Sequence, residues 1–169
     1  KSETAKQQKS EDNAGPNCRI QAKLSGNSSD PVSAQTKTSG GAGRSVTDWS
    51  KVSKLRKSVV SYAKSLEGSR YVFGGVDPKS GIDCSGLILV VMRDKAGLDL
   101  DHYSASQATE GVAVSADQMR PGDIIAYDGQ PRDGKVNHIA IYVGDGKAIH
   151  ARGKNEGVQI TAWDYAEPL

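Results

Sequence analysis

A chain of 169 residues has room for one domain of ordinary size with its own core, plus some unstructured sequence, but not for two full domains. The formal charge is only +2, and Lys and Arg are interspersed with Asp and Glu rather than gathered into a stripe, which argues against nucleic acid as the partner. No stretch approaches the roughly 18 uninterrupted apolar residues of a membrane span, the two cysteines permit at most one bridge, and Lys1 in place of an initiator Met reads as a mature product.

Residues 1–44 hold no aromatic side chain and only Ile20, Leu24 and Val32 as large aliphatics among Lys, Ser, Gln, Asn, Thr and Gly. Such a segment cannot bury enough apolar area to offset its ordering entropy, so it is expected to be a flexible linker or tail with few contacts to the domain at 45–169. After Ser45 the composition changes. Trp49, Val52, Leu55, Val59, Ala63 and Leu66 recur at three- and four-residue spacing, which predicts an amphipathic helix begun near Ser45 or Thr47 and stopped at Gly68. Lys51, Lys54, Arg56 and Lys57 would form its solvated face. Arg70 to Gly75 is short, aromatic and closed by a glycine pair, as an extended piece turning sharply would be.

The apolar run Leu87, Ile88, Val90, Val91 and Met92 predicts a mostly buried helix that starts at Asp83-Cys84-Ser85 and ends near Gly97. Beyond Gly111 come strand-like runs at Asp123–Tyr127, His138–Val143, Ala148–Ala151 and Gly157–Thr161, divided by turns such as Pro121-Gly122 and Gly144-Asp145-Gly146. Helices first and an antiparallel meander second give an α+β domain.

Cys84 is the candidate nucleophile. With Asp83 as cap, its sulfur would sit in the first turn of a helix, where free N–H groups and the helix dipole favour thiolate; the plainer use of a lone cysteine is structural burial. His138 and His150 lie in adjacent predicted strands, each near the far end counted from Asp145, so a hairpin would set them side by side on one face. A thiol needs a base, and the base needs a partner to fix its tautomer; Cys84, His138 and His150 can fill those three roles. Their spacing matches no zinc pattern, so no metal is expected, and His102, between Asp101 and Tyr103, reads as a surface or pocket-rim residue. The glycine turns lack the strand, helix and lysine context of a phosphate loop.

The blocks Tyr71-Val72-Phe73-Gly74-Gly75, Asp83-Cys84-Ser85-Gly86, Arg120-Pro121-Gly122-Asp123-Ile124, His138-Ile139-Ala140-Ile141-Tyr142-Val143-Gly144 and Ile149-His150-Ala151, in this order, resemble those of NlpC-type peptidases, the papain-like cysteine endopeptidases of bacterial cell walls. The resemblance spans about Val46 to Ile160. It implies a papain-like core of helices packed on a C-terminal antiparallel sheet, with Cys84 as nucleophile, His138 as general base and His150 as the residue that orients it. Tyr71 would help the backbone N–H of Cys84 stabilise the oxyanion, and Asp83, Ser85 and Ser104 would line the substrate pocket. One departure is visible: the family often has an arginine five residues ahead of a glutamine, and here His102 precedes Gln107 at that spacing. The implied activity is cleavage of the γ-D-glutamyl–diamino acid bond in peptidoglycan stem peptides through a thioester, by a secreted or wall-associated monomer that needs no cofactor. The competing functions are an N-acetylmuramoyl-L-alanine amidase and a non-catalytic wall-binding module.

Overall fold

The computed structural model describes residues 46–129 and 132–166, together with the backbone of 17–19. Helix α1 runs Lys54–Ser65 and is capped by Ser53, whose side chain accepts from the N–H of Arg56. It begins later than the periodicity suggests. Trp49–Lys51 is a 3-10 turn, and Val52 and Ser53 are extended. Thr47 does not cap a helix, because Asp145 claims it from across the molecule: the Thr47 N–H donates to Asp145 Oδ1 and the Thr47 hydroxyl accepts from the Asp145 N–H, both at 2.8 Å. Two long-range bonds outweigh a local capping preference.

The solvated-face assignment also needs one correction. Lys51, Lys54 and Lys57 are exposed, but Arg56 is buried. Its guanidinium donates at 2.9 Å to Asp123 Oδ1 and at 2.9 Å to the carbonyl of Pro121, fastening α1 to the turn that opens the sheet. A buried charge is tolerable only when paired, and here each partner supplies the other's countercharge.

Helix α2, Cys84–Ala96, has the limits its sequence predicts: Asp83 caps it and Gly97, with φ of 64°, closes it in the left-handed region. Before it lies a small ribbon of β2 (Val76–Asp77) and β3 (Gly81–Ile82), and after it the short helix α3, Ser104–Gln107. The main sheet has six strands in the order β4-β1-β5-β6-β7-β8, with every pair antiparallel. These are β1 (Asn17–Arg19), β4 (Val112–Val114), β5 (Ile124–Tyr127), β6 (His138–Gly144), β7 (Lys147–Ala151) and β8 (Val158–Ala162). Strand β1 comes from the segment read as tail, whose remaining residues lie outside the described ones.

Alternation along the strands builds a core on each face. Ile124, Ile139, Ile141, Val143, Ile149 and Val158 pack with Val59, Ala63, Leu87, Ile88 and Val91 of the helices. The alternate residues, Ile125, Tyr127, Ala140, Tyr142 and Ala148, form a second cluster covered by Trp163 and Tyr165. Strands β6 and β7 are joined at Asp145-Gly146, both with positive φ (54° and 70°), the geometry a two-residue hairpin requires. Helices on one side of an antiparallel sheet confirm the α+β class.

Candidate active site

The Cys84 end of the candidate site is organised by one carboxylate. Asp83 Oδ1 accepts from the Gly86 N–H at 2.7 Å and from the Ser85 hydroxyl at 3.3 Å, while Oδ2 accepts from the Gly74 N–H at 2.7 Å. His102 Nε2 lies 2.8 Å from Oδ1 and must carry the proton there, since a carboxylate oxygen only accepts. The cap of α2, the glycine turn and the loop before α3 therefore converge on a single side chain. The close approach explains the glycines: a Cβ at Gly86 would stand 2.1 Å from the carbonyl oxygen of Gly75. From below, Gln107 donates from Nε2 to the carbonyls of Ser85 at 2.9 Å and Asp101 at 2.7 Å.

In this setting burial pushes the Cys84 thiol up to about 11, with the Asp83 charge as the second cause. The backbone N–H groups of Ser85, Ile139 and Cys84 itself act the other way without prevailing. The helix terminus alone predicted a thiolate; desolvation and a like charge outweigh it. Tyr71 stands near the same sulfur. Its hydroxyl is held in the protonated form, above its ordinary range, by burial first and then by the charges of Cys84 and Asp83.

The histidine end belongs to the sheet. His138 opens β6, one residue before the Ile139 N–H that acts on the sulfur, and His150 lies on β7. His138 Nε2 and His150 Nδ1 are 2.7 Å apart. The rings sit on the side of the second cluster, against Tyr127 and Tyr165, while Ile139 and Ile149 face the helices. The helix end thus meets the histidines at the end of the sheet and not across the face that bears them.

Thr161 on β8 offers one proton order. Its hydroxyl oxygen is 3.0 Å from the Ala162 carbonyl and 3.1 Å from His150 Nε2. With the hydroxyl donating to Ala162, that oxygen accepts from a proton on His150 Nε2; His150 Nδ1 then accepts from His138 Nε2–H, and the lone pair of His138 is on Nδ1. Burial pushes His138 down to about 4 and His150 down to about 3; Arg152 adds to both, and for His150 the neighbouring His138 contributes more than Arg152. Burial thus disfavours the charged form of each group, which favours proton transfer during attack over a standing ion pair.

The sequence pointed to Cys84, His138, His150, Tyr71, Asp83, Ser85 and Ser104. Cys84, Asp83, Ser85 and Tyr71 gather at the start of α2, and the two histidines pair. Ser104 is buried at the start of α3, and His102 is exposed and bonded to Asp83. Sequence reasoning missed Thr161, Tyr165 and Arg152. Thr161 could have been found only by extending the strand register across β7 and β8, where Ala148 pairs with Thr161 and His150 with Gln159.

The model of the NlpC/P60 family matches residues 68–167. The γ-DL-glutamyl hydrolase of Bacillus subtilis is 40% identical over 104 residues, 61% of this chain and 25% of that protein. The γ-D-glutamyl-L-lysine dipeptidyl-peptidase of Bacillus cereus is 30% identical over 102 residues, 60% of this chain and 30% of that one. The chain thus spans about a quarter of the length of its Bacillus subtilis relative. The crystal structure of the NlpC/p60 domain of peptidoglycan hydrolase SagA superposes with a TM-score of 0.60 at 33% identity, covering 68% of this chain and 94% of that domain. That likeness makes the fold papain-like.

Proposed function

Because the chain belongs to the NlpC/P60 family, we propose that it is a peptidoglycan hydrolase, a cysteine endopeptidase that cleaves the γ-D-glutamyl–diamino acid bond of stem peptides. The observation that carries this reading is the 2.7 Å contact between His138 Nε2 and His150 Nδ1, which in the tautomer with the His138 proton on Nε2 leaves Nδ1 to act as a base. The names of two relatives support the bond class, since both denote cleavage at a γ-glutamyl group.

In the proposed reaction His138 Nδ1 takes the thiol proton as Cys84 Sγ attacks the γ-carbonyl carbon. The developing imidazolium donates from Nε2 to His150, whose own proton rests on Thr161. The oxyanion accepts from the Cys84 N–H and from the Tyr71 hydroxyl, which its surroundings keep protonated. The C–N bond then breaks, and His138 returns its proton to the leaving amine. Water, deprotonated by His138, attacks the thioester, releases the γ-carboxylate and restores the thiol. Asp83, Ser85 and Ser104 form the polar wall beside the acyl group, with Asp83 acting chiefly through Gly74, Gly86 and His102. The enzyme works on the wall, outside the cell, as a monomer.

Digestion of purified peptidoglycan followed by mass spectrometry tests this. A new free amine on the diamino acid is the expected product. A free amine on L-Ala makes the enzyme an amidase, and wall binding without hydrolysis makes it a binding module.

A further inference from the structure

His150 has no exposure at all, yet it lies on the face of the sheet that the helices do not cover. The second cluster on that face contains no residue of α1, α2 or α3, and its outer cover is the chain after β8, with Trp163, Tyr165 and Ala166. Of these three, Tyr165 reaches the imidazoles. Its ring centroid is 4.6 Å from His150, 5.2 Å from Tyr127 and 6.3 Å from His138. Three hydrogen bonds hold this segment against the sheet: the buried Tyr127 hydroxyl donates to the Trp163 carbonyl at 2.5 Å, the Trp163 N–H to the Gly146 carbonyl at 3.1 Å and the Tyr165 N–H to the Ala162 carbonyl at 3.2 Å.

A base must be neutral to take the thiol proton, and burial is the first cause that lowers both histidines. The groups facing the pair are Tyr127 from β5, Thr161 from β8, Cys84 from the start of α2, Arg152 after β7 and Tyr165 itself. Only Arg152 acts on both rings by its charge, and on each of them it ranks below burial. Burial also pushes the Tyr165 hydroxyl up to about 12; Arg152 opposes this and the Cys84 charge adds to it, so the side chain is within electrostatic reach of the sulfur.

We propose that Tyr165 is a positioning residue for the reaction: its ring covers the His138–His150 pair and keeps water out, so that the base stays neutral in mild acid. The proposal rests on His138 as the base of the proposed function. The ring is the effective part, and the hydroxyl is dispensable. Without the ring, water solvates the imidazolium form and the pair takes up a proton at higher pH. A protonated His138 cannot accept the thiol proton, so activity is lost on the acid side first.

The test compares the unaltered full chain with Tyr165→Phe, Tyr165→Leu, Tyr165→Ala and Arg152→Gln, each shown to be folded by circular dichroism. The first readout is kcat/KM for the peptide L-Ala-γ-D-Glu-L-Lys at pH 5 divided by that at pH 8. We expect Tyr165→Phe to match the unaltered chain, Tyr165→Ala to lower the ratio about 10-fold as the histidines move toward their ordinary value of about 6.5, and Tyr165→Leu to lie between them. A general loss of alignment lowers both rates and leaves the ratio unchanged. Arg152→Gln should change the ratio less than Tyr165→Ala, because burial outranks the charge. An unchanged ratio in Tyr165→Ala and Tyr165→Leu, an equal fall in Tyr165→Phe, or an equal change in Arg152→Gln overturns the proposal. The second readout is an NMR titration of the histidine rings, which needs no turnover. Imidazole signals that titrate at the same pH with and without the Tyr165 ring overturn the cover, whereas failure to cleave the peptide while those signals shift overturns the peptidase reading and leaves the cover standing.

Discussion

Residues 70–108 and residues 124–162 each supply half of the site, and they are held in different ways. In the first half, backbone amides and one carboxylate gather contacts that are mostly near in sequence: Gly74, Ser85, Gly86 and His102 all bond Asp83. In the second, His138, His150 and Thr161 lie on three successive strands and touch only because the register of those strands brings them together. The first half sets the position and charge of Cys84, the proposed nucleophile, and the second holds the two rings proposed to move its proton. Perturbing the two should therefore give different signatures.

The largest effect is expected where the halves meet. Cys84→Ser should leave no measurable turnover in a folded protein, and His138→Ala should lose about 10³-fold or more in kcat, whereas His150→Gln, which keeps a hydrogen-bonding partner for His138, should lose about 10- to 100-fold. Circular dichroism establishes the fold, and product release from peptidoglycan gives the rates. Equal losses in His138→Ala and His150→Gln would remove the division of roles between the two rings.

Acid should unsettle the histidine half. The folded state holds His138 near 4 and His150 near 3, whereas in the unfolded chain both return to an ordinary value of about 6.5. The unfolded state then binds more protons as pH falls below about 6.5, so stability declines from there to pH 4, by on the order of 3 kcal/mol from His138 alone. Urea midpoints measured between pH 7 and pH 4 give the slope, which should be shallower in His150→Gln.

Thr161→Val removes the hydroxyl within hydrogen-bond reach of His150 without altering the side chain's shape. It should lower kcat about 10-fold at little change in KM, and Thr161→Ser should restore most of the loss. A ring-nitrogen NMR spectrum should show the His150 proton no longer confined to Nε2.

Asp83→Asn tests the nucleophile half and should cost least in stability. Asparagine offers a single acceptor oxygen, so one of the Gly74 and Gly86 N–H groups loses its partner, at about 1 kcal/mol. Removing the charge that helps push Cys84 up to about 11 should lower the thiol's pKa and speed its alkylation by iodoacetamide at pH 8. Slower alkylation would mean that the carboxylate does not oppose the thiolate.

The same contrast explains what was legible beforehand. Helix α2 and the hairpin of β6 and β7 carry strong local signals: a capping aspartate, a closing glycine, an apolar run, period-two alternation and an Asp-Gly turn. Nothing local marks the three-residue strands β1 and β4. The start of α1 is not legible locally, because Ser45, Thr47 and Ser53 are all competent cap residues and the partner that engages Thr47, Asp145, is distant in sequence.

By itself, then, the sequence determined the element types, the cysteine at a helix start and the two histidines near strand ends, because each depends on a period or a cap that a few neighbouring residues contain. Only the tertiary structure decided that Arg56 is buried, that desolvation pushes the Cys84 thiol up, that Thr161 lies within hydrogen-bond reach of His150 and that Arg152 stands over Tyr165. Those outcomes depend on desolvation and on contacts between distant residues, and both come into being only when the chain has packed.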